Sequence, residues 1–170
     1  VNLTITRRNG DQHVVLYDEQ DHDLIASHTW CVYKSGASRT LYCATSERVR
    51  SGAGGTRLVL MHRLILPGVE SVDHANGDGL DNRRSNLRAA TQSQQNANRA
   101  PSPHTSRFKG VCWDKSRGLW RATIKDGGYI GRFKTEEEAA RAYDARAIEM
   151  HGEFAYLNFP VVQTLNGASK

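Results

Sequence analysis

The 170-residue chain is 38% hydrophobic and 24% charged, proportions that exclude a wholly disordered polypeptide and imply a packed core. Its length suits one ordinary domain or two small ones, and small domains bury too little surface to be robust alone. The formal net charge is +5 and no apolar run approaches the roughly 20 residues of a membrane helix, which excludes a membrane span and predicts a soluble, intracellular, cytoplasmic protein.

In chain order, the first part carries short β-type runs at Leu3 to Thr6, His13 to Tyr17, Trp30 to Tyr33 and Thr40 to Ala44, bounded by polar and Gly/Ser segments. Between them, Asp18 to His28 is acidic enough for a short helix with a polar face. This part reads as a β-rich scaffold, and the glycine-rich stretch Arg48 to Arg57 as a loop able to face DNA. Leu58 to Pro67 predicts a strand passing into a short helix, Ser71 to His74 a short extended stretch, Asn76 to Leu80 a turn, and Leu87 to Ala90 a second strand. Thr91 is placed to N-cap a helix running toward Arg99. The resulting order is strand, loop, strand, helix.

Pro101 and Pro103 oppose continued helix, so residues 100–106 read as a linker. It separates a first segment, 1–99 with its core at 58–99, from a second domain at 107–160 and a tail at 161–170. In the second domain, Phe108 to Trp113, Leu119 to Lys125 and Tyr129 to Phe133 predict three antiparallel strands with turns at Ser116-Arg117-Gly118 and Asp126-Gly127-Gly128. A helix follows: Thr135 is its N-cap, Glu138 completes a capping box, Gly152 ends it, and Ala139, Tyr143 and Ala147 give a small-residue face for packing on the sheet. The fold class is therefore α+β. Strand alternation places Trp120, Ala122 and Ile124 on one side of the middle strand and Arg121, Thr123 and Lys125 on the other, where a hydroxyl and two cations suit phosphates and base edges in a groove.

Charge placement agrees with that surface. Ten Lys/Arg (Arg83, Arg84, Arg88, Arg99, Arg107, Lys109, Lys115, Arg117, Arg121 and Lys125) face the single acid Asp114 within one 43-residue stretch. A cationic run interleaved with Phe108, Trp113 and Trp120 points to nucleic acid rather than to a merely solvated face. The three cysteines, Cys31, Cys43 and Cys112, form no Cys-x-x-Cys pair, so neither a disulfide framework nor a structural zinc is expected, and the thiols should be reduced and buried.

Phosphodiester hydrolysis needs a base to activate water and a cation to neutralise the phosphate and leaving oxygen. Asp73-His74 offers both kinds of group side by side. At the end of a strand the two side chains diverge, so that Asp73 can face a metal while His74 faces the attacking water. An amide oxygen from the following helix, Asn96 or Gln95, would complete a donor set for a hard ion, magnesium above all and manganese as an alternative.

The run Met61-His62-Arg63-Leu64, Val72-Asp73-His74-Ala75-Asn76-Gly77-Asp78, Leu80-Asp81-Asn82-Arg83-Arg84-Ser85-Asn86-Leu87-Arg88 and Thr91 to Arg99 resembles phage-type HNH homing endonucleases. The resemblance implies a ββα-metal nuclease module with His74 as general base, Asp73 as metal ligand and Asn82 as the loop-organising residue. It implies a helix amide as the second ligand, assigned to Asn96 with Gln95 as the alternative. His62 matches a recurring element of the family and is expected as a buried, hydrogen-bonded side chain ahead of a phosphate contact.

A second resemblance covers Phe108 to Pro160. Lys109-Gly110-Val111, Trp120-Arg121-Ala122, Gly131-Arg132-Phe133, Glu137 to Asp144 and Leu157-Asn158-Phe159-Pro160 are similar to the plant APETALA-two/ethylene-response-factor DNA-binding domain. Such domains dock a three-stranded sheet in the major groove, with Lys109, Arg117, Thr123, Lys125, Tyr129 and Arg132 at matching positions. Cys112, Thr123 and Tyr129 replace plant DNA-contacting residues, so the plant target is not implied. The expected DNA-contacting set is Arg83, Arg84, Arg88, Arg99, Lys109, Lys115, Arg117, Arg121, Thr123, Lys125, Tyr129 and Arg132. The reading is a metal-dependent endonuclease on double-stranded DNA, nicking because one metal site per chain is implied. No protein partner is marked and oligomeric state stays open. The alternative is an inactive DNA-binding regulator.

Overall fold

The computed structural model describes residues 1–34, 40–49, 55–101 and 105–160. Residues 50–54 of the expected Arg48 to Arg57 loop, 102–104 of the expected linker and the tail at 161–170 lie outside them. The chain forms two compact units, Val1–Ser93 and Gln94–Lys170. Together they make a mixed α+β protein of small antiparallel sheets and few helices, as the sequence predicts.

In the first unit, β1 (Asn2–Thr6) and β2 (Gln12–Leu16) form a hairpin, and a 3-10 turn at Glu19–Asp21 leads into α1 (His22–Ala26). Next, β3 (Cys31–Lys34), β4 (Leu41–Val49) and β5 (Gly55–Leu60) form an antiparallel sheet in that order. The apolar segment after β5 turns at once into α2 (Met61–Ile65), the expected strand-to-helix passage. β6 (Val72–His74) and β7 (Leu87–Ala89) then pair antiparallel, and α3 (Gln92–Asn98) follows. The division between the units falls inside α3.

Ile5, Val15, Tyr17, Ile25, Cys43, Met61, Ile65, Val72 and Leu87 form one apolar cluster in this unit. Strand β2 is tied to the loop between β6 and β7: Leu16 N–H donates to Leu80 O at 2.9 Å, and Leu16 O accepts from Asn82 N–H at 2.7 Å. The N-terminal hairpin is thus part of the scaffold that shapes that loop. Of the three free cysteines only Cys43 is buried; Cys31 is exposed and Cys112 intermediate, which corrects the expectation that all are buried. Cys31 and Cys112 lie on two-sided antiparallel sheets, where alternate positions meet solvent.

The second unit contains β8 (Val111–Asp114), β9 (Leu119–Ile124) and β10 (Gly128–Phe133) in the order β10-β9-β8, packed on α4 (Glu136–His151). Thr135 and Glu138 form the expected capping box, which pairs two backbone donors that the first helical turn leaves over. Ala139, Tyr143 and Ala147 are buried against the sheet. The first strand begins at Val111 rather than Phe108, because Gly110 adopts φ 75° and breaks the extended run. Behind the helix, buried Asp144 accepts from Asn158 N–H and Phe159 N–H at 2.9 Å each, which ties down the Leu157-Asn158-Phe159-Pro160 segment. Among the described residues no helix is long and apolar enough to cross a membrane.

Candidate functional site

Three-residue β6 pairs with β7 so that Asp73 faces Arg88 and His74 faces Leu87. Alternation along a strand sends Asp73 and His74 to opposite faces, as the sequence predicts. Asp73 is buried, and Arg88 reaches it in a fork, with Nε at 3.0 Å and Nη2 at 2.8 Å from Oδ2. His74 is also buried, its ring 5.0 Å from that of His62 and 5.9 Å from that of Tyr42, both in tilted or edge-on contact. Its Nε2 lies 3.5 Å from Oδ1 of the fully buried Asn82, at the outer limit of a hydrogen bond.

The loop that carries Asn82 is closed by side-chain amides and carboxylates. Asn86 accepts from Asn76 N–H at 3.0 Å and donates to Asp81 O at 2.7 Å. Asn76 donates to Asp81 Oδ2 at 3.0 Å, and Asp78 and Asn76 each accept from a backbone N–H two residues on. Such Asx contacts hold a turn without regular structure. Gly79 lies against the Leu41 carbonyl and the Tyr42 ring, where a Cβ would collide, so the loop can pass there only as glycine.

Burial fixes the protonation of the histidine pair. Desolvation, reinforced by His74 and Arg63, pulls His62 from 6.5 down to about 3. Desolvation also lowers His74, against the opposing pull of the Asn82 hydrogen bond and of Asp73, Asp78 and Asp81. Both rings are therefore neutral at pH 7. The sign for stability follows: an unfolded chain takes up protons near pH 6.5 that the folded chain refuses, so acid favours unfolding. We expect thermal stability to be flat with respect to these groups above about pH 6.5 and to fall steadily between pH 6.5 and 5, before most carboxylates titrate. Melting followed by circular dichroism across that interval checks this, and a constant midpoint from pH 7 to 5 would contradict it.

Cations that cluster in the sequence do not form one bare patch. Arg83 makes a fork with Asp81, Nε at 2.8 Å and Nη2 at 2.7 Å. Arg84 makes another with buried Asp21, 63 residues earlier, at 3.0 and 2.7 Å, while its backbone N–H donates to Asp18. With Arg88 on Asp73, these three of the expected DNA-contacting arginines are engaged by carboxylates, and the half-exposed Arg83 and Arg84 still reach solvent. The acids lie outside the basic stretch, which is why counting charge within it overlooks them.

In the second unit, Gln95 is half-buried, and Asn96 and Arg99 are exposed. Lys109 precedes β8 and is tied to the end of α3. Its ammonium donates to the carbonyls of Ala97 and Arg99 at the end of α3, and also lies over the Tyr156 ring. Burial and nearby Arg99 lower it from 10.5 to about 8. A lysine there pairs carbonyls that a helix end leaves over.

Strand register defines the open face. Cys112 and Arg132 both oppose Arg121, and Tyr129 opposes Thr123, so these five side chains share it, with exposed Lys125 at the end of β9 and exposed Lys115 and Arg117 in the β8–β9 turn. Arg121 Nε donates to Cys112 Sγ at 3.3 Å. Arg132 Nε donates to Asp114 Oδ2 at 2.9 Å, and its Nη1 to the Tyr129 hydroxyl at 3.3 Å. Sequence reasoning missed Tyr42 beside His74, Asp21 beneath Arg84 and Asp114 as the partner of Arg132. The only signal was the lone acid within the basic run.

Among the described residues, no three of His, Cys, Asp and Glu converge as a metal-binding group. Near His74 stand the Asp73 carboxylate, the Asn82 amide oxygen and the His62 imidazole, donor types that a divalent metal can use.

A family model described as HNH endonuclease matches residues 60–97, and one described as AP2 domain matches residues 106–153. Protein 3.8 of Escherichia phage T7 is 35% identical over 88 residues, 49% of this chain and 72% of that protein. An uncharacterized HNH endonuclease of Acanthamoeba polyphaga mimivirus is 37% identical over 108 residues, covering 58% of this chain and 56% of the viral protein. An AP2-like ethylene-responsive transcription factor of Arabidopsis thaliana is 33% identical over 78 residues, 44% of this chain but only 16% of the plant protein.

Proposed function

Because this chain belongs to the HNH endonuclease family and carries an AP2 domain, we propose that it is a metal-dependent, intracellular endonuclease of the homing type that nicks double-stranded DNA. Residues 58–99 form the nuclease module, 100–106 a linker and 107–160 a domain whose sheet selects the target. The observation that carries this reading is the divergence of Asp73 and His74 on one short strand, with the imidazole held neutral by burial.

An amide oxygen can only accept, so the Asn82 contact selects the His74 tautomer with its proton on Nε2 and the basic lone pair on Nδ1. His74 then acts as general base toward water, and Asn82 holds loop and imidazole together. Asp73, with Asn96 or alternatively Gln95, would hold a magnesium ion, which supplies neutralisation of the scissile phosphate and leaving oxygen. On the open face, Arg121, Thr123, Lys125, Tyr129 and Arg132 contact DNA, with Lys115 and Arg117 on flanking phosphates. Arg83 and Arg84, exposed beyond their carboxylate partners, and exposed Arg99 contact the DNA backbone, Arg88 does so only if it leaves Asp73, and Lys109, an expected DNA contact, also clamps the end of α3.

One observation favours a second reading. The Arg88 fork already neutralises Asp73, the arrangement expected of an inactive centre in a DNA-binding regulator. Supercoiled plasmid incubated with the chain in magnesium and in chelator separates the two. Nicked circles only in magnesium are expected; solely linear product would contradict nicking by one site, and tight binding without cutting in either magnesium or manganese would establish the regulator.

A further inference from the structure

On the open face of the second unit, one arginine is held differently from its neighbours. Arg132 lies on β10 and Asp114 on β8, so their 2.9 Å ion pair spans the middle strand. Asp114 is fixed before it meets the arginine, accepting from Ser116 N–H at 3.1 Å and from Ser116 Oγ at 2.7 Å. Those contacts and Arg132 hold its carboxyl at about 2, so it stays ionised at any working pH. From the other side the Tyr129 hydroxyl accepts from Nη1 at 3.3 Å, and the guanidinium lies 5.3 Å from the centre of that ring.

The side chain nevertheless stays about one-third exposed. Among the described residues these contacts engage the Nε proton and one Nη1 proton, which leaves three N–H donors on a planar group whose orientation is set in advance. A mobile arginine must surrender rotamer freedom to make a forked contact; this one has done so before DNA arrives. Guanine is the base whose major-groove edge offers two adjacent acceptors, O6 and N7, while adenine places a donor beside its N7. By contrast, among the described residues Arg121 is steadied only by the thiol of Cys112 at 3.3 Å, a weak acceptor.

We infer that Arg132, oriented by Asp114 and Tyr129, is a specificity-determining residue that reads a guanine in the major groove of the target. This rests on the reading of the sheet as a DNA-binding surface.

The test uses the full chain in chelator, so that bound DNA is not cut. Duplexes selected by the wild type from a randomised pool supply a preferred site, and each of its guanines is replaced in turn while affinity is followed by fluorescence anisotropy. We expect one guanine whose replacement weakens wild-type binding roughly 5- to 100-fold. For Arg132→Met that penalty should shrink to about twofold, with penalties at other positions kept. Arg132→Lys retains the charge without the planar fork and should keep only a weakened form of the same preference, which guards against a folding defect in the methionine variant. Asp114→Asn should lose part of it. Uniformly weaker binding to every sequence, with the salt slope reduced by about one and the guanine preference intact, would show a phosphate contact and overturn the inference. Absence of any wild-type DNA binding would overturn the DNA-binding reading itself, and this inference with it.

Discussion

His74→Ala is expected to lower DNA cleavage by about 100- to 10,000-fold, the usual contribution of a positioned general base, while DNA affinity changes less than about twofold. The imidazole is buried against His62 and Tyr42, with its Nε2 3.5 Å from Asn82 Oδ1. Burial pulls His62 down to about 3, which leaves it a poor base, and Asn82 offers no basic atom. Truncation also opens a space beside His62, so the melting profile of the variant must be taken alongside its cleavage rate. Single-turnover cleavage and anisotropy on the same duplex separate chemistry from binding. Equal loss of both would indicate that His74 supports the fold instead.

Gly110→Ala should unfold the second unit under conditions where the wild type is intact. At φ 75° a side chain is strained, and the added Cβ would overlap the Tyr143 ring and the Thr123 carbonyl. Left-handed strain costs about 1–2 kcal/mol and overpacking a further 1–3 kcal/mol or so. For a unit of this size, each kcal/mol moves the midpoint by roughly 4–8 °C, so a fall of more than about 10 °C is expected. Gly118→Ala provides the control: φ is also positive, at 63°, but nothing lies within 4 Å of the new Cβ, and only strain remains. Melting curves of the two variants side by side decide the point. Equal stability would show that the approach of Tyr143 to Gly110 is not tight in solution.

Local rules made much of this protein legible in its sequence. The Asp73-His74 divergence needs only strand alternation, and the α4 start needs only Thr135, Glu138 and the apolar spacing behind them. The open and packed faces of β9 follow from the same two-residue period. What the sequence concealed was long-range pairing. Arg84 looks like one cation in a basic stretch until folding brings Asp21 beneath it, and Arg88 until β6 and β7 pair and set Asp73 opposite. Tyr42 sits 32 positions before His74 and carries no motif. Lys109 lies in an apparent strand, yet Gly110 turns the chain there and sends the ammonium to the carbonyls of α3. Spacing leaves the helix-borne amide open between Asn96 and Gln95, because one residue rotates a helical side chain by about 100°.

The proposed function makes the chain one nuclease that cuts where its sheet binds DNA. The direct measurement is sequencing of the DNA ends made by the full chain in magnesium from a long, complex DNA, with His74→Ala processed in parallel. Breaks at a recurring sequence, on one strand and absent from the His74→Ala sample, are the predicted result. Breaks scattered without sequence preference, or equally abundant with His74→Ala, would contradict it.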